Sequence, residues 1–162
     1  MTILSHTARA TLILRAYGFA RIPLLWSCRP SVVELNDEKC VIKIPHRRKT
    51  RNHEGGMYIA AMSVGAELAA AVIALFQIRR EGRKAKFIYK DFEAHFLKRA
   101  EGDVHFTCTD GRIISDVVEE TARTGERINC PVKVIATVPS ISDEPVAQFA
   151  LTLSLKVVSG EG

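Results

Sequence analysis

The sequence lacks the residue spacings that usually hold metals or crosslinks. It has four cysteines without a Cys-x-x-Cys pair and five histidines without a His-Glu-x-x-His motif. A chain of 162 residues can also bury a core without disulfide bonds. We therefore expect no metal site. We also expect the cysteines to be reduced and buried; they are Cys28, Cys40, Cys108 and Cys130.

Acidic residues are missing from the first 33 residues, where four arginines occur. The apolar positions fit one helical face: Leu12, Ile13, Ala16, Tyr17 and Ala20. A basic, acid-free amphipathic segment is typical of an organelle transit peptide, but it also fits a mature helix packed on the domain. No secretory signal is recognisable, so we expect a cytoplasmic protein, with organelle targeting through residues 1–28 as the alternative. Pro23 and Pro30 should end the helix and lead into extended chain.

Composition indicates one ordinary soluble globular domain, with 47% hydrophobic and 25% charged residues. No internal repeat or low-complexity linker divides it, so we expect a single domain over 1–162, with a helical segment over 1–28 and a core over 29–158. The net charge of +5 favours anionic partners.

A long run over residues 57–78 is small or apolar on every side and holds one acid, Glu67. A helix without a polar face must be enclosed, either by lipid or by a sheet. The run could span a bilayer, but Glu67 near its middle would cost about 2.5–3.5 kcal/mol on insertion scales. Strand-like segments on both sides favour the sheet, and we expect no membrane span.

Alternating patterns predict six strands, over 31–36, 40–45, 85–97, 103–109, 128–138 and 146–158. A phase shift in the third strand predicts a bulge near Lys90 and Asp91. Residues 112–124 read as a second helix, and 139–145 as a loop. The order predicts an α+β fold in which a curved antiparallel sheet of about six strands wraps one long central helix, with an N-terminal helix. That architecture is the hotdog fold.

The start of the long run carries a family resemblance. Residues 52–61 read Asn-His-Glu-Gly-Gly-Met-Tyr-Ile-Ala-Ala, and residues 66–69 read Ala-Glu-Leu-Ala. This segment resembles the central-helix motif of hotdog-fold thioesterases, closest to a poorly characterised branch that opens with Asn-His-x-Gly. It is also similar to phenylacetyl-coenzyme A thioesterases, in which an Asn is followed by His-Gly-Gly and then a catalytic acid. The resemblance covers about residues 29–158.

The resemblance implies hydrolysis of an acyl-coenzyme A or acyl-carrier-protein thioester. Glu67 matches the acid, as general base or nucleophile, and Asn52 matches the Asn, which orients water or the carbonyl. Tyr58, Ile59 and Ala60 stand where the family has His-Gly-Gly, whose backbone N–H groups hold the oxyanion. Because these three positions carry side chains, a non-catalytic hotdog that binds acyl-coenzyme A, or an assembly module, stays open. Glu67 could also be a structural acid and Asn52 a helix cap.

A basic cluster precedes the helix: Arg47, Arg48, Lys49 and Arg51. It is either a solvated loop or a site that captures phosphates of coenzyme A or of a phosphopantetheine arm. No aromatic residues alternate with these charges, so we expect no nucleic acid partner. Coenzyme A would enter only as part of the substrate, and no separate cofactor is expected. The family also implies a homodimer or a dimer of dimers (homotetramer), with sites at the subunit boundary.

Overall fold

The structure, a computed structural model, describes residues 5–158, so the ends of the predicted domain at 1–4 and 159–162 lie outside the described residues. The elements follow the predicted order, with one helix more. They are α1 (His6–Arg21), α2 (Pro23–Cys28), β1 (Ser31–Leu35), β2 (Cys40–Ile44), α3 (Ile59–Arg80), β3 (Lys84–Phe96), β4 (Val104–Cys108), α4 (Gly111–Thr124), β5 (Ile128–Val138) and β6 (Ser142–Val158).

The six strands form one antiparallel sheet in the order β1-β2-β4-β5-β6-β3. The predicted bulge is confirmed, because the pairing of β3 with β6 shifts register between Tyr89 and Phe92. The predicted loop over 139–145 is too long. Strand β6 already begins at Ser142, which pairs with Val138 across a tight turn.

The central helix α3 lies against the concave side of the sheet and contributes a large share of the buried core. It is the one helix within residues 5–158 that is long and apolar enough to cross a bilayer, and most of that window is buried inside the protein. Gly65 allows the closest approach, because a Cβ atom there would fall well inside 3.0 Å of the Phe106 ring. The sheet-wrapped helix of the predicted hotdog fold is thus confirmed.

The N-terminal helix forms as predicted, but it packs on the opposite face from the one expected. Leu12, Ile13 and Tyr17 are exposed, whereas Gly18 is buried and Leu14 packs against the core. The segment after α1 also differs from the expectation of extended chain. It forms the short helix α2, with Pro23 in the first turn, where a missing N–H is tolerated.

The four cysteines are buried and none forms a disulfide bond, as predicted. Cys40 and Cys108 are direct cross-strand partners on β2 and β4. Burial raises the pKa of both thiols, so they behave as small apolar residues of the core.

Candidate active site

The loop that leads into α3 is built around a buried threonine. Thr50 Oγ1 donates to the Pro45 carbonyl (2.7 Å) and accepts from the Arg47 N–H (2.9 Å). Its carbonyl oxygen accepts from the Tyr58 N–H at 2.8 Å. These bonds tie the basic cluster to Tyr58, the N-cap residue of the helix. The start of α3 therefore has a fixed position relative to the loop.

Asn52 lies in a turn before the helix and does not cap it. Its Oδ1 accepts from the Glu54 N–H (3.0 Å), and its backbone N–H donates to the Gly56 carbonyl (2.8 Å). The interpretation of Asn52 as a helix cap is wrong, because Tyr58 occupies the N-cap position. The side chain of Asn52 instead forms a local Asx turn that shapes the approach to the helix.

The first turn of α3 offers backbone donors that the protein leaves free. Tyr58 makes no side-chain cap, and its own N–H is already bonded to Thr50. Within residues 5–158, no acceptor contacts the N–H groups of Ile59 or Ala60. The positive end of the helix macrodipole adds to their attraction for a negative oxygen. Of the three residues predicted as donors, Ile59 and Ala60 thus keep unbonded N–H groups, whereas the Tyr58 N–H is bonded to Thr50.

The Glu67 side chain is partly buried and projects from the third turn of α3. Among the described residues its carboxylate has neither a hydrogen-bond partner nor an ion-pair partner. Burial raises the pKa of this carboxyl above its ordinary value of 4.5. The Tyr89 hydroxyl donates to the Glu67 backbone carbonyl at 2.7 Å, and burial together with the nearby Glu67 charge raises the pKa of Tyr89 well above 10.0. Tyr89 therefore stays protonated and fixes this part of the helix against β3.

One chain cannot bring the acid and the donors to the same atom. Ile59 and Glu67 are eight residues apart on one helix, which separates them by about 12 Å along its axis. A surface cavity of about 440 Å³ lies at the other end of α3, where it is lined by Gly82, Lys84 and Arg123, and it contains none of the predicted site residues. The Ile59 N–H and the Glu67 side chain of one helix are therefore too far apart to contact the same carbonyl.

The four residues of the basic cluster differ in their contacts. Arg47 is half-buried and donates from Nη2 to the Ser27 carbonyl at 3.0 Å. Arg48, Lys49 and Arg51 are exposed, and none has an ion-pair partner within residues 5–158. An isolated bridge between Arg51 and Met57 places Arg51 next to the start of α3. This backbone bridge places a positively charged residue close to the helix N-terminus, which itself attracts anions.

Sequence reasoning missed three residues near the site. Thr50 organises the loop, Tyr89 anchors the helix, and Ser63 lies one helical turn from both Ile59 and Glu67, with its hydroxyl donating to the Ile59 carbonyl at 3.0 Å. The spacing of four residues between Ile59, Ser63 and Glu67 was visible in the sequence and marks one stripe of the helix. The contacts of Thr50 and Tyr89 depend on the tertiary fold and left no local signal.

The fold is similar to several solved structures. A Chlorobaculum tepidum protein of unknown function has a TM-score of 0.79 at 9% identity, covering 93% of this chain and 96% of its own. A Pseudomonas aeruginosa protein described as a "probable thioesterase" has a TM-score of 0.75 at 21% identity, covering 91% and 96%. A thioesterase family protein from Silicibacter pomeroyi has a TM-score of 0.64 at 15% identity, covering 91% and 99%. These similarities establish the hotdog fold.

A comparison with curated proteins found no match. A family model described as "Domain of unknown function (DUF4442)" matches residues 10–155, which include most of α1, the central helix and all but the last three residues of the sheet. The chain therefore belongs to the DUF4442 family of hotdog-fold domains.

Proposed function

We propose that the protein is a thioesterase that hydrolyses an acyl-coenzyme A or acyl-carrier-protein thioester. Two of the structural relatives described above bear thioesterase names, which supports the reaction class. The observation that carries the proposal is the Glu67 carboxylate, which is partly buried and unpaired. Burying an unpaired carboxylate is unfavourable, and such a perturbed group is a functional candidate.

In the proposed mechanism, Glu67 and the helix start act on opposite sides of the thioester carbonyl. Glu67 removes a proton from water, or attacks directly, while the Ile59 N–H holds the developing oxyanion. The raised pKa of Glu67 makes its ionised carboxylate a stronger base than an exposed carboxylate. In the first route the hydroxide adds to the carbonyl carbon, the C–S bond breaks, and the thiol leaves with the proton that Glu67 removed from water. In the second route the Glu67 carboxylate displaces the thiolate, water then hydrolyses the acyl–Glu67 anhydride to the free acid, and the thiolate takes up the proton that this water releases.

We propose that two copies of the chain complete each site. Strand β3 lies at the edge of the sheet, where it pairs with β6 on one side only. It is 13 residues long and exposes Ile88 and Phe92, and an edge of this length and character favours pairing with another strand. Antiparallel pairing of two β3 edges would bring Glu67 of one copy towards the α3 N-terminus of the other. A dimer of dimers can follow from the same unit.

The exposed cations give the proposed site its affinity for phosphate. Arg48, Lys49 and Arg51 lie on the loop that Thr50 fixes to the helix start, so the pantetheine arm would extend from a phosphate they hold to the thioester carbonyl. Arginine and lysine bind phosphate groups well through charge-assisted hydrogen bonds. We therefore assign these three residues to the pyrophosphate of coenzyme A or the phosphate of a phosphopantetheine arm.

The direct test replaces Glu67 with Gln and follows thiol release from a panel of acyl-coenzyme A substrates. Because Gln cannot accept a proton, we expect kcat to fall by a factor of at least about 10². The matched control is Glu120→Gln on the exposed side of α4, which should hydrolyse at the wild-type rate. Hydrolysis by Glu67→Gln at the wild-type rate would remove Glu67 from the mechanism.

The second candidate function is binding of an acyl-coenzyme A ligand without turnover. It is favoured by Ile59, whose side chain is 54% exposed and stands where the similar enzymes have a glycine. Calorimetric binding of coenzyme A esters, with no thiol release across the panel, would select this function. Measurable hydrolysis that falls in Glu67→Gln would exclude it.

A further inference from the structure

Helix α1 leaves most of its large apolar side chains exposed, while Thr11 and Arg15 lie on its inner face together with Leu14 and Gly18. Six large or apolar side chains on α1 and α2 form what we term the N-terminal apolar face: Leu12, Ile13, Ala16, Tyr17, Phe19 and Trp26. Phe19 is 69% exposed, and its ring meets the edge of the Trp26 ring at a centroid distance of 5.3 Å. A contiguous apolar surface of this kind usually marks a binding site.

The outward orientation is fixed by hydrogen bonds on the inner face. Arg15 donates from Nε to the Pro30 carbonyl (2.9 Å) and from Nη2 to Ser31 Oγ (2.7 Å). The Thr11 hydroxyl accepts from the Val32 N–H at 2.9 Å, where α1 lies against β1. Rolling the helix to bury its apolar face would break all three bonds. The exposure is therefore built into the fold.

Gly18 and the start of α2 hold the two helices at a tight corner. A Cβ atom at Gly18 would lie 3.0 Å from the Trp26 nitrogen and 3.1 Å from Leu25 Cβ, so this glycine permits the close contact. Leu25 is buried and anchors α2 in the core, which leaves Trp26 facing outward beside Phe19. The corner thus presents both aromatic rings on one surface.

The charged side chains on α1, α2 and the residues up to β1 are all positive. Arg9, Arg21 and Arg29 are exposed, and no Asp or Glu occurs anywhere from Ser5 to Val33. The first acid, Glu34, is already paired with Lys39 at 2.8 Å. An isologous contact with a second copy would bring these arginines together without a carboxylate between them, which disfavours self-association. A partner with a negatively charged surface over an apolar interior fits both the exposed apolar side chains and the arginines.

We propose that the N-terminal apolar face docks onto an anionic lipid bilayer surface. Leu12, Phe19 and Trp26 enter the boundary between headgroups and acyl chains, while Arg9 and Arg21 reach lipid phosphates with their long side chains. Trp is a favoured residue at that depth, since its ring has an apolar body and a polar N–H. This docking does not depend on Glu67 or on the thioester site.

Trp26 is the single tryptophan of the chain, so its fluorescence reports directly on the proposed surface. The full chain is mixed with vesicles of phosphatidylcholine alone or with phosphatidylglycerol added, at low and high salt, and binding is followed by flotation and by the Trp26 emission. We expect a blue shift and protection from aqueous quenchers with phosphatidylglycerol vesicles, and weaker binding at high salt. No binding to the anionic vesicles would overturn the proposal.

Two pairs of variants separate the apolar and the charge contributions. Leu12→Ser with Phe19→Ser should lower the vesicle partition coefficient by at least about tenfold. Its control, Ile113→Ser with Ile141→Ser, removes two equally exposed side chains elsewhere and should bind like the wild type.

Arg9→Gln with Arg21→Gln should weaken binding to anionic vesicles by about fivefold for each arginine. Lys133→Gln with Lys156→Gln is the charge control and should bind like the wild type. A Leu12/Phe19 variant that binds vesicles as well as the wild type refutes the proposal. The proposal is also refuted if the only change in this variant is a smaller oligomer, measured by light scattering. The N-terminal apolar face would then bind a second copy of the chain. All variants should hydrolyse a soluble substrate at the wild-type rate, which keeps this test apart from the proposed enzyme activity.

Discussion

The N–H group of Ile59 can be removed by a substitution that the helix tolerates. Ile59 is the first residue of α3, and a proline is favoured there because the N–H has no intrahelical partner. The preceding residue, Tyr58, has φ −69° and ψ 140°, the extended conformation that a residue before proline adopts. The Ile59 side chain is half exposed, so little core packing is lost. We expect the unfolding free energy of Ile59→Pro to stay within about 0.5 kcal/mol of the wild type.

Activity should respond much more strongly than stability. Loss of one oxyanion donor lowers kcat by about 10²–10³-fold, or about 2.7–4 kcal/mol of transition-state stabilisation. The matched control is Ile59→Ala, which keeps the N–H and removes the branched side chain, and it should hydrolyse at least as fast as the wild type. Steady-state thiol release and urea unfolding of the three proteins supply the data. A folded Ile59→Pro variant with wild-type kcat would refute the role of this N–H.

Three further predictions concern the acid, the core and the basic loop. Because burial raises the pKa of Glu67 in the folded state, ionisation of Glu67 destabilises the fold as pH rises through the raised pKa. At pH values above that pKa, Glu67→Gln should therefore have a higher Tm than the wild type. This difference in Tm should vanish at pH values below the ordinary pKa of 4.5. Gly65→Ala should lower the free energy of urea unfolding by about 1–3 kcal/mol, since the new Cβ meets the Phe106 ring; wild-type stability would contradict the close packing. Arg48→Gln with Lys49→Gln should raise KM for acyl-coenzyme A about tenfold with little change in kcat, and an unchanged KM would place the phosphates elsewhere.

The central helix could be predicted because its signal is local. A run that is apolar on every side, with strand patterns before and after it, admits few architectures, and the observed helix begins only two residues later than expected. The bulge near Lys90 was also visible, because a phase shift in the side-chain pattern records a register shift directly. Both features depend on neighbours in sequence.

The packing of α1 could not be predicted from the same kind of pattern. Periodicity identifies Leu12, Ile13 and Tyr17 as one face, but the expectation that this face is buried assumes that apolar contacts decide the orientation. Here Thr11 and Arg15 decide it, through hydrogen bonds to residues 15–21 positions away in sequence. Such long-range polar contacts leave no periodic signal.

Within the candidate site, the sequence predicted candidate residues but not their spatial relation. Glu67 and Ile59 were both predicted, and the structure places them on one helix, with the donor at its first turn and the acid two turns further on. Since an axial separation of about 12 Å prevents both from contacting one carbonyl, the proposed site requires a second chain. Neither composition nor motif spacing contains the geometry of that pairing.

The central claim, a site shared between two copies, is tested most directly with mixed dimers. One chain carries Glu67→Gln and one affinity tag, and a second chain carries Ile59→Pro and a different tag. The heterodimer is purified over both tags, and its mass is checked to be about 36 kDa, twice the 18.0 kDa of one chain. One of its two sites then combines an intact Glu67 with an intact helix start, and the other lacks both. We predict about half of the wild-type kcat per dimer, from two parents that are each nearly inactive. A heterodimer as inactive as its parents, or a wild-type protein that remains an 18.0 kDa monomer, would contradict the shared site.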